Sequence, residues 1–94
     1  MALSTYSFSL VKYVRKITDV EAKWGFVRIN EGFRKMFPVN AFTLIFNDTK
    51  YLQTIDKQCR MWVRKISNLK IKSGSTIEII PNNDDTFTLN RVRT

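Results

Sequence analysis

The sequence has 94 residues, of which 44% are hydrophobic and 26% charged, so its size and apolar content fit one globular domain spanning residues 1–94 and exclude a disordered chain. Sixteen Lys and Arg against eight Asp and Glu give a net charge of +8 at pH 7, which predicts a polyanionic partner. With no His and one cysteine, Cys59, the chain has no internal disulfide, no zinc site and no nucleophile–histidine pair.

Membrane insertion is not expected. The longest apolar run, residues 42–46, is far shorter than the roughly 20 residues needed to cross a bilayer. Residues 1–10 lack the basic start, the continuous apolar centre and the cleavage site of a signal peptide. The expected location is therefore cytoplasmic, or nuclear in a eukaryote, with no membrane partner.

The first third of the chain predicts two strands, a connection and a short helix. Residues 6–14 mix aromatic and β-branched side chains and predict the first strand, with a bulge. Residues 15–23 are polar without a period and predict an exposed connection, and residues 24–30 predict a second strand. Asn30 is expected to cap a helix of about two turns that Pro38 ends.

The middle of the chain carries the clearest two-residue period. Phe42, Leu44 and Phe46 alternate with less apolar residues, and Asn47 and Asp48 are typical turn residues. We therefore expect a hairpin from this strand into residues 50–55.

The remaining segment predicts a second helix and a terminal hairpin. Residues 59–69 place apolar side chains on one helical stripe and basic side chains opposite; the stripe consists of Cys59, Trp62, Val63, Ile66 and Leu69. Residues 76–80 predict a strand, residues 81–85 a turn and residues 86–92 a last strand. Together these elements predict a mostly-β fold, an open pseudobarrel of about six to seven short strands with two short helices at its ends.

Basic side chains concentrate at two connections. The first group is Lys12, Arg15, Lys16, Lys23 and Arg28, and the second is Lys50, Lys57, Arg60, Arg64 and Lys65. Side chains able to contact base edges lie among them, namely Thr18, Trp24, Gln53, Thr54 and Gln58. Two basic arms on one side of the barrel would form a cationic surface for a DNA backbone.

Five stretches resemble one known family, the DNA-binding pseudobarrel of plant "B-three"-type transcription factors, which is shared with effector-binding domains of certain restriction endonucleases. The stretches are residues 16–20, 26–30, 33–38, 42–48 and 69–80. The sequence departs from the family pattern at Asn30, where proline is usual, and at Ser75, where aspartate is common.

The resemblance implies that two arms grip the major groove. It places Lys16, Thr18, Lys23 and Trp24 on an N-terminal arm (N-arm), and Gln53, Lys57, Gln58 and Arg60 on a C-terminal arm (C-arm). Combined with the charge pattern, the predicted DNA contacts are Lys12, Arg15, Lys16, Thr18, Lys23, Trp24, Arg28, Gln53, Lys57, Gln58, Arg60 and Arg64.

The prediction that follows is sequence-specific binding of double-stranded DNA without catalysis, metal or cofactor. The domain would act as a transcription regulator or as the recognition domain of a restriction enzyme, alone or joined to a nuclease or other domain. We expect a monomer or a weak dimer.

Four other functions compete with this prediction. Tyr6, Tyr13, Tyr51 and Trp24 keep open an RNA-binding or single-strand-binding module that stacks unpaired bases. Residues 69–77 also resemble the swapped-hairpin repressors of bacteria and archaea, which bind DNA as obligate dimers. A third alternative is a module that binds an acidic protein.

The fourth alternative is a magnesium-dependent nuclease. Asp19, Glu21 and Lys23 resemble the acidic pair and lysine of such enzymes, but no acidic residue precedes Asp19 in the chain. Asp84 and Asp85 offer oxygen ligands for a cation, although a plain hairpin turn is the expected role of residues 81–85.

Overall fold

Short β-strands are the main regular elements of the structure, a computed structural model that describes residues 12–66 and 68–92. The strands are β1 (Tyr13–Lys16), β2 (Phe26–Arg28), β3 (Phe42–Phe46), β4 (Thr49–Gln53), β5 (Arg60–Trp62), β6 (Thr76–Pro81) and β7 (Thr86–Val92). The helices are α1 (Asp19–Trp24) and a 3-10 helix (Glu31–Met36). Five strands form a mixed sheet in the order β1-β6-β7-β3-β4, and β2 and β5 form a second sheet. The predicted mostly-β class is confirmed, as an open rather than a closed barrel.

The β3–β4 hairpin follows from its turn residues. Phe46 pairs with Thr49, so only Asn47 and Asp48 connect the strands, with φ of 51° and 64°. Positive φ at both central positions is the type I′ geometry, whose twist matches that of the flanking strands. Asn and Asp are the non-glycine residues that tolerate this conformation best. The predicted hairpin is confirmed.

The β6–β7 hairpin is held by polar side chains at its tip. Asn82 donates its backbone N–H to the Thr86 carbonyl and its amide to the Thr86 and Thr88 hydroxyls. The Asp84 carboxylate accepts from the N–H and the hydroxyl of Thr86. Asp84 therefore closes the predicted turn.

The two hairpins are joined by a parallel pair, in which Leu44 of β3 lies opposite Phe87 of β7. The inward faces of these strands form one core with residues from the loops. Aromatic rings of Phe37, Phe42 and Phe87 pack with centroids 4.9 to 5.5 Å apart. The most deeply buried members of the core are Tyr13, Val27, Ile29, Leu44, Met61, Leu69, Ile77, Ile79 and Leu89.

The predicted second helix at residues 59–69 is wrong. The segment contains β5 and then consecutive turns, in which Ile66 N–H donates to the Val63 carbonyl and Leu69 N–H to the Ile66 carbonyl. Val63, Ile66 and Leu69 are buried as expected. Their spacing of three comes from successive turns with bonds between residues i and i+3, a pattern that imitates a helical stripe.

The predicted exposed connection at residues 15–23 is also wrong, because it contains α1. Thr18 caps this helix by accepting from Glu21 N–H, while the Glu21 carboxylate accepts from Thr18 N–H, and Gly25 ends it with φ of 81°. This reciprocal capping box with a terminal glycine is a strong helix signal. Most of the predicted first strand lies outside the described residues, and β1 is Tyr13–Lys16.

The helix predicted after Asn30 is confirmed as the 3-10 helix, but Asn30 does not cap it through its side chain. The Asn30 side-chain oxygen instead accepts from Arg15 Nη1 at 3.3 Å. Among residues 12–66 and 68–92, no helix is both long and apolar enough to cross a bilayer.

Candidate nucleic-acid interface

The two-stranded sheet of β2 and β5 has one face in the core and one face outside it. Val27 lies opposite Met61, and both side chains are completely buried in the core. Because side chains alternate along a strand, the neighbouring pairs project from the other face. These pairs are Phe26 with Trp62 and Arg28 with Arg60.

Arginines and aromatic rings interleave on that outer face. The Phe26 and Trp62 ring centroids are 5.1 Å apart. The Arg28 guanidinium carbon lies 5.6 Å from the Phe26 centroid, and those of Arg60 and Arg64 lie 5.1 Å and 5.0 Å from the Trp62 centroid. These are cation–π distances. We call Phe26, Arg28, Arg60, Trp62 and Arg64 the arginine–aromatic face.

Like charges face each other on the arginine–aromatic face. Arg28 and Arg60 lie directly opposite each other, and like charges in that position destabilise a strand pair. The aromatic rings offset part of this cost by placing negative quadrupoles against the guanidinium groups. The Asp56 carboxylate, 2.9 Å from Arg60 Nε, offsets another part.

The two predicted arms join this face at opposite ends. At one end, Val63 N–H donates to the carbonyl of Gly25, the residue that ends α1. The side chain of Arg64 also packs against Gly25, so closely that a Cβ atom on residue 25 would lie 2.5 Å from Arg64 Cγ. At the other end, Arg28 Nη1 donates to the Gln58 carbonyl at 3.0 Å. Residues 17–25 and 54–59, the N-arm and C-arm as the structure has them, are thus fixed to one small sheet.

Asp56 organises the C-arm. Its Oδ1 accepts from the N–H groups of Gln58 and Arg60, both at 2.9 Å. Its Oδ2 accepts from Arg60 Nε at 2.9 Å and from Trp62 Nε1 at 3.1 Å. Desolvation alone would raise the pKa of Asp56, but these hydrogen bonds outweigh it and hold the pKa below its ordinary value of 3.8.

Glu21 organises the N-arm in the same way. Although its side chain is buried, it accepts from Arg28 N–H at 2.6 Å, from Thr18 N–H and from the Arg15 guanidinium. Burial would raise the pKa of Glu21, but these donors hold it below its ordinary value of 4.5. Because all its accepting capacity is used inside the protein, Glu21 is a structural anion, and the arrangement gives no support to the nuclease alternative with Asp19 and Lys23.

The predicted contact residues fall into two groups. Exposed on the arms or the arginine–aromatic face are Lys23, Trp24, Arg28, Lys57, Gln58 and Arg64, with Arg60 half-buried. Trp24 is 53% exposed and has Lys23 Nζ 5.5 Å from its ring centroid. Lys16 is exposed at the end of β1.

The other predicted contacts are engaged within the protein. Arg15 is paired with Glu21, Thr18 caps α1, and Lys12 forms an ion pair with Glu78 at 3.0 Å. Gln53 was expected on an exposed arm, but it ends β4 and is 4% exposed, with its Nε2 atom buried and without a partner among the described residues. A role for these four residues in DNA binding stays a prediction.

The sequence interpretation missed three residues of this region. Trp62 was expected on a helical stripe, Phe26 was expected only as part of a strand, and Asp56 was not singled out. Phe26 is 3% exposed, so its ring lies beneath the guanidinium groups of Arg28 and Arg60. The available signal was the repeated pattern of an aromatic and an arginine two residues apart, Phe26/Arg28 and Arg60/Trp62, which is the period of a strand. Within the described residues, no three His, Cys, Asp or Glu side chains cluster closely enough to hold a metal ion.

Comparison with known proteins identifies the fold. No protein-family model and no curated protein sequence matches the chain. Among solved structures, the N-terminal domain of Helicobacter pylori LlaJI.R1 superposes with a TM-score of 0.67 at 13% identity, covering 89% of this chain and 88% of that one. The hypothetical Arabidopsis thaliana protein At1g16640.1 superposes with a TM-score of 0.61 at 13% identity, covering 87% and 89%. This likeness supports the predicted pseudobarrel fold.

Proposed function

We propose that this chain binds double-stranded DNA through the arginine–aromatic face and the two arms attached to it, and that it acts by binding alone. The observation that carries the proposal is the outer face of β2–β5, where Arg28, Arg60 and Arg64 gather around Phe26 and Trp62. Each arm attached to this face adds one exposed lysine, Lys23 or Lys57. The likeness to two solved structures supports the pseudobarrel fold, and the sequence resemblance to a DNA-binding pseudobarrel family is consistent with the proposal.

The two-stranded sheet is the element that would enter the major groove. In B-form DNA this groove is about 12 Å wide and admits a two-stranded ribbon, while the backbones on either side carry the phosphates. With β2–β5 facing the groove, Lys23 of the N-arm and Lys57 of the C-arm would contact the two flanking backbones. Phosphate contacts supply affinity, and side chains over the groove supply sequence preference. Such a reader would serve as a transcription regulator or as the recognition domain of a restriction enzyme.

The first test is binding to a randomised duplex library at about 150 mM salt, where the Debye length is roughly 8 Å. Enrichment of a short motif is the expected result. The charge-neutralising variants Lys23→Gln, Lys57→Gln and Arg64→Gln should each weaken binding to the selected duplex. A side chain that contacts a phosphate should reduce the magnitude of the log–log salt slope by about 0.9.

Lys35→Gln is the matched control, because Lys35 is an exposed lysine on the 3-10 helix and lies outside the arms. It removes the same charge and should leave binding almost unchanged. Equal losses in all four variants, with no enriched motif, would mean that the duplex responds only to net charge.

A single-stranded or RNA ligand is the second candidate, and the exposed Trp24 ring favours it. An exposed aromatic ring beside a lysine can stack an unpaired base, worth about 1 to 3 kcal/mol per base. Competition between the selected duplex and single-stranded RNA separates the two. Preference for the RNA, lost in Trp24→Ala, would replace the duplex proposal.

A further inference from the structure

Arg60 differs from the other arginines of the region in how its guanidinium is held. Its Nε donates to Asp56 Oδ2 at 2.9 Å, and its planar group lies 5.1 Å from the Trp62 centroid and 5.9 Å from that of Phe26. Among the described residues, neither Nη1 nor Nη2 of Arg60 has a hydrogen-bond partner. One edge of the guanidinium is thus fixed, and the two-nitrogen edge is free.

The neighbouring arginines lack this combination. Arg15 uses both Nη groups on Glu21 and Asn30, and Arg28 donates one to the Gln58 carbonyl. Arg64 contacts the Trp62 ring but has no carboxylate that fixes its position among the described residues. Arg60 is therefore the arginine of this face whose side chain is held by a carboxylate while its two terminal NH2 groups have no hydrogen-bond partner among the described residues.

A fixed pair of parallel N–H donors fits two kinds of ligand, a phosphate and the O6/N7 edge of guanine in the major groove. The charge balance favours guanine. Asp56 neutralises much of the Arg60 charge at 2.9 Å, which weakens attraction to a phosphate but leaves the donor geometry intact. Guanine O6 and N7 are neutral acceptors, for which donor geometry matters more than net charge.

Resting on the proposed duplex binding, we propose that Arg60 reads a guanine in the DNA target and that Asp56 is the positioning residue that holds it for this task. The ligand is accordingly a duplex with an essential G·C pair opposite Arg60. Trp62 supports the same geometry, because its indole N–H shares Asp56 Oδ2 with Arg60 Nε while its ring stacks against the guanidinium.

The test compares base preferences of the wild type with those of Arg60→Lys, using the randomised duplex library and then single-substitution duplexes. Lysine keeps the charge but not the two-donor fork. We expect one G·C position of the motif to lose about tenfold discrimination in Arg60→Lys, while the other positions keep theirs. Arg91→Lys is the matched control, since it makes the same change beside the Phe46 ring, outside the arms and the arginine–aromatic face, and should keep discrimination at every position.

Asp56→Asn gives the second readout. An asparagine cannot accept all four hydrogen bonds, so Arg60 loses its fixed orientation while the net charge rises by one. We expect weaker discrimination at the same G·C position together with equal or tighter binding to non-specific duplex. Thermal unfolding of the variant shows whether the fold is retained, and Asp56→Glu, which keeps the carboxylate, should restore part of the discrimination.

The outcomes separate this inference from the proposed function. An enriched motif whose every position survives Arg60→Lys would overturn guanine reading and leave duplex binding standing. A uniform loss across all positions in Arg60→Gln, with a salt slope about 0.9 smaller in magnitude, would identify Arg60 as a phosphate contact instead. Absence of any motif in the wild type would remove the proposed specific binding itself.

Discussion

Glu21 and Asp56 illustrate how single carboxylates shape a strongly basic protein. Each accepts hydrogen bonds from backbone and side-chain donors of an arm, and each contacts an arginine, Arg15 or Arg60. Their roles differ because Glu21 is buried and Asp56 is half-exposed. A buried, fully bonded carboxylate contributes to stability, and a half-exposed one can orient an arginine for a ligand.

We predict that Glu21→Gln destabilises the protein by about 3 kcal/mol at pH 7, because it leaves Arg15 and two backbone N–H groups without their anion. The lowered pKa of Glu21 gives its pH dependence. The stability that the Glu21 carboxylate contributes is complete above its pKa in the unfolded chain, about 4.5. This contribution is lost as the pH falls through the lower pKa that Glu21 has in the folded protein. Urea unfolding from pH 7 to pH 3 should show a shallower acid decline in the variant; an equally steep decline would assign the acid sensitivity to other carboxylates.

At Gln53 we predict a substitution that stabilises the protein instead of destabilising it. Its Nε2 atom is buried without a partner in the described part of the chain, and an unpaired buried donor costs about 1 to 3 kcal/mol. Methionine has a similar length and no donor, so Gln53→Met should raise the free energy of unfolding by about 1 kcal/mol. Chemical denaturation measures this. Because the side chain is buried, DNA affinity should not change; a loss of affinity would indicate that Gln53 turns outward on binding.

The sequence allowed the basic residues of the site to be predicted one by one, but it did not allow their grouping or the burial of Gln53 to be predicted. Charge alone identified Arg28, Arg60 and Arg64, since basic residues at two connections stand out in the sequence. Their grouping around Trp62 could not be predicted, because it depends on β5, which had been interpreted as helix. The burial of Gln53 depends on which face of β4 meets the core, and a polar residue gives no signal of that.

At the scale of elements, turn residues predicted the hairpins correctly, whereas the apolar stripe at residues 59–69 predicted a helix where the structure has β5 and turns. The β3–β4 and β6–β7 hairpins follow from turn residues next to alternating strands, so the sequence predicts both. The pairings of β2 with β5 and of β3 with β7 bring together residues far apart in sequence, such as Thr43 and Thr86, and no local pattern encodes that register. Thr18 and Glu21 have the spacing of a capping box, a local helix signal that the predicted connection at residues 15–23 left out of account.

Helix α1 supplies a prediction about the N-arm. Thr18→Ala should cost about 1 kcal/mol of stability, because Glu21 N–H loses its acceptor at the helix start. Thr18→Ser keeps the hydroxyl and should be close to wild type. Thermal unfolding compares the three proteins, and DNA affinity measured alongside tests the predicted base contact: a loss of affinity in both variants would point to the threonine methyl group.

At the scale of the whole molecule, charge acts on folding and binding in opposite directions. The net charge of +8 makes the free protein repel itself. The same charge attracts DNA. Folding stability and ligand affinity should therefore respond oppositely to salt.

We predict that raising NaCl from about 10 mM to about 150 mM increases the melting temperature of the free protein while it weakens duplex binding. The Debye length falls from about 30 Å to about 8 Å over this range, which screens self-repulsion and protein–phosphate attraction alike. Differential scanning fluorimetry and fluorescence anisotropy measure the two responses. A melting temperature that falls with salt would mean that ion pairs such as Lys12–Glu78 outweigh the repulsion.

The position of β7 in the main sheet has a consequence for biosynthesis. Along the described chain β7 follows all the other strands, yet it lies at the centre of the main sheet, between β6 and β3. A chain still on the ribosome with residues 86–92 inside the exit tunnel can form the β3–β4 hairpin but cannot join it to β6. The sheet is therefore completed only once residues 86–92 have left the exit tunnel, and until then the β3–β4 hairpin and β6 lack the strand that joins them.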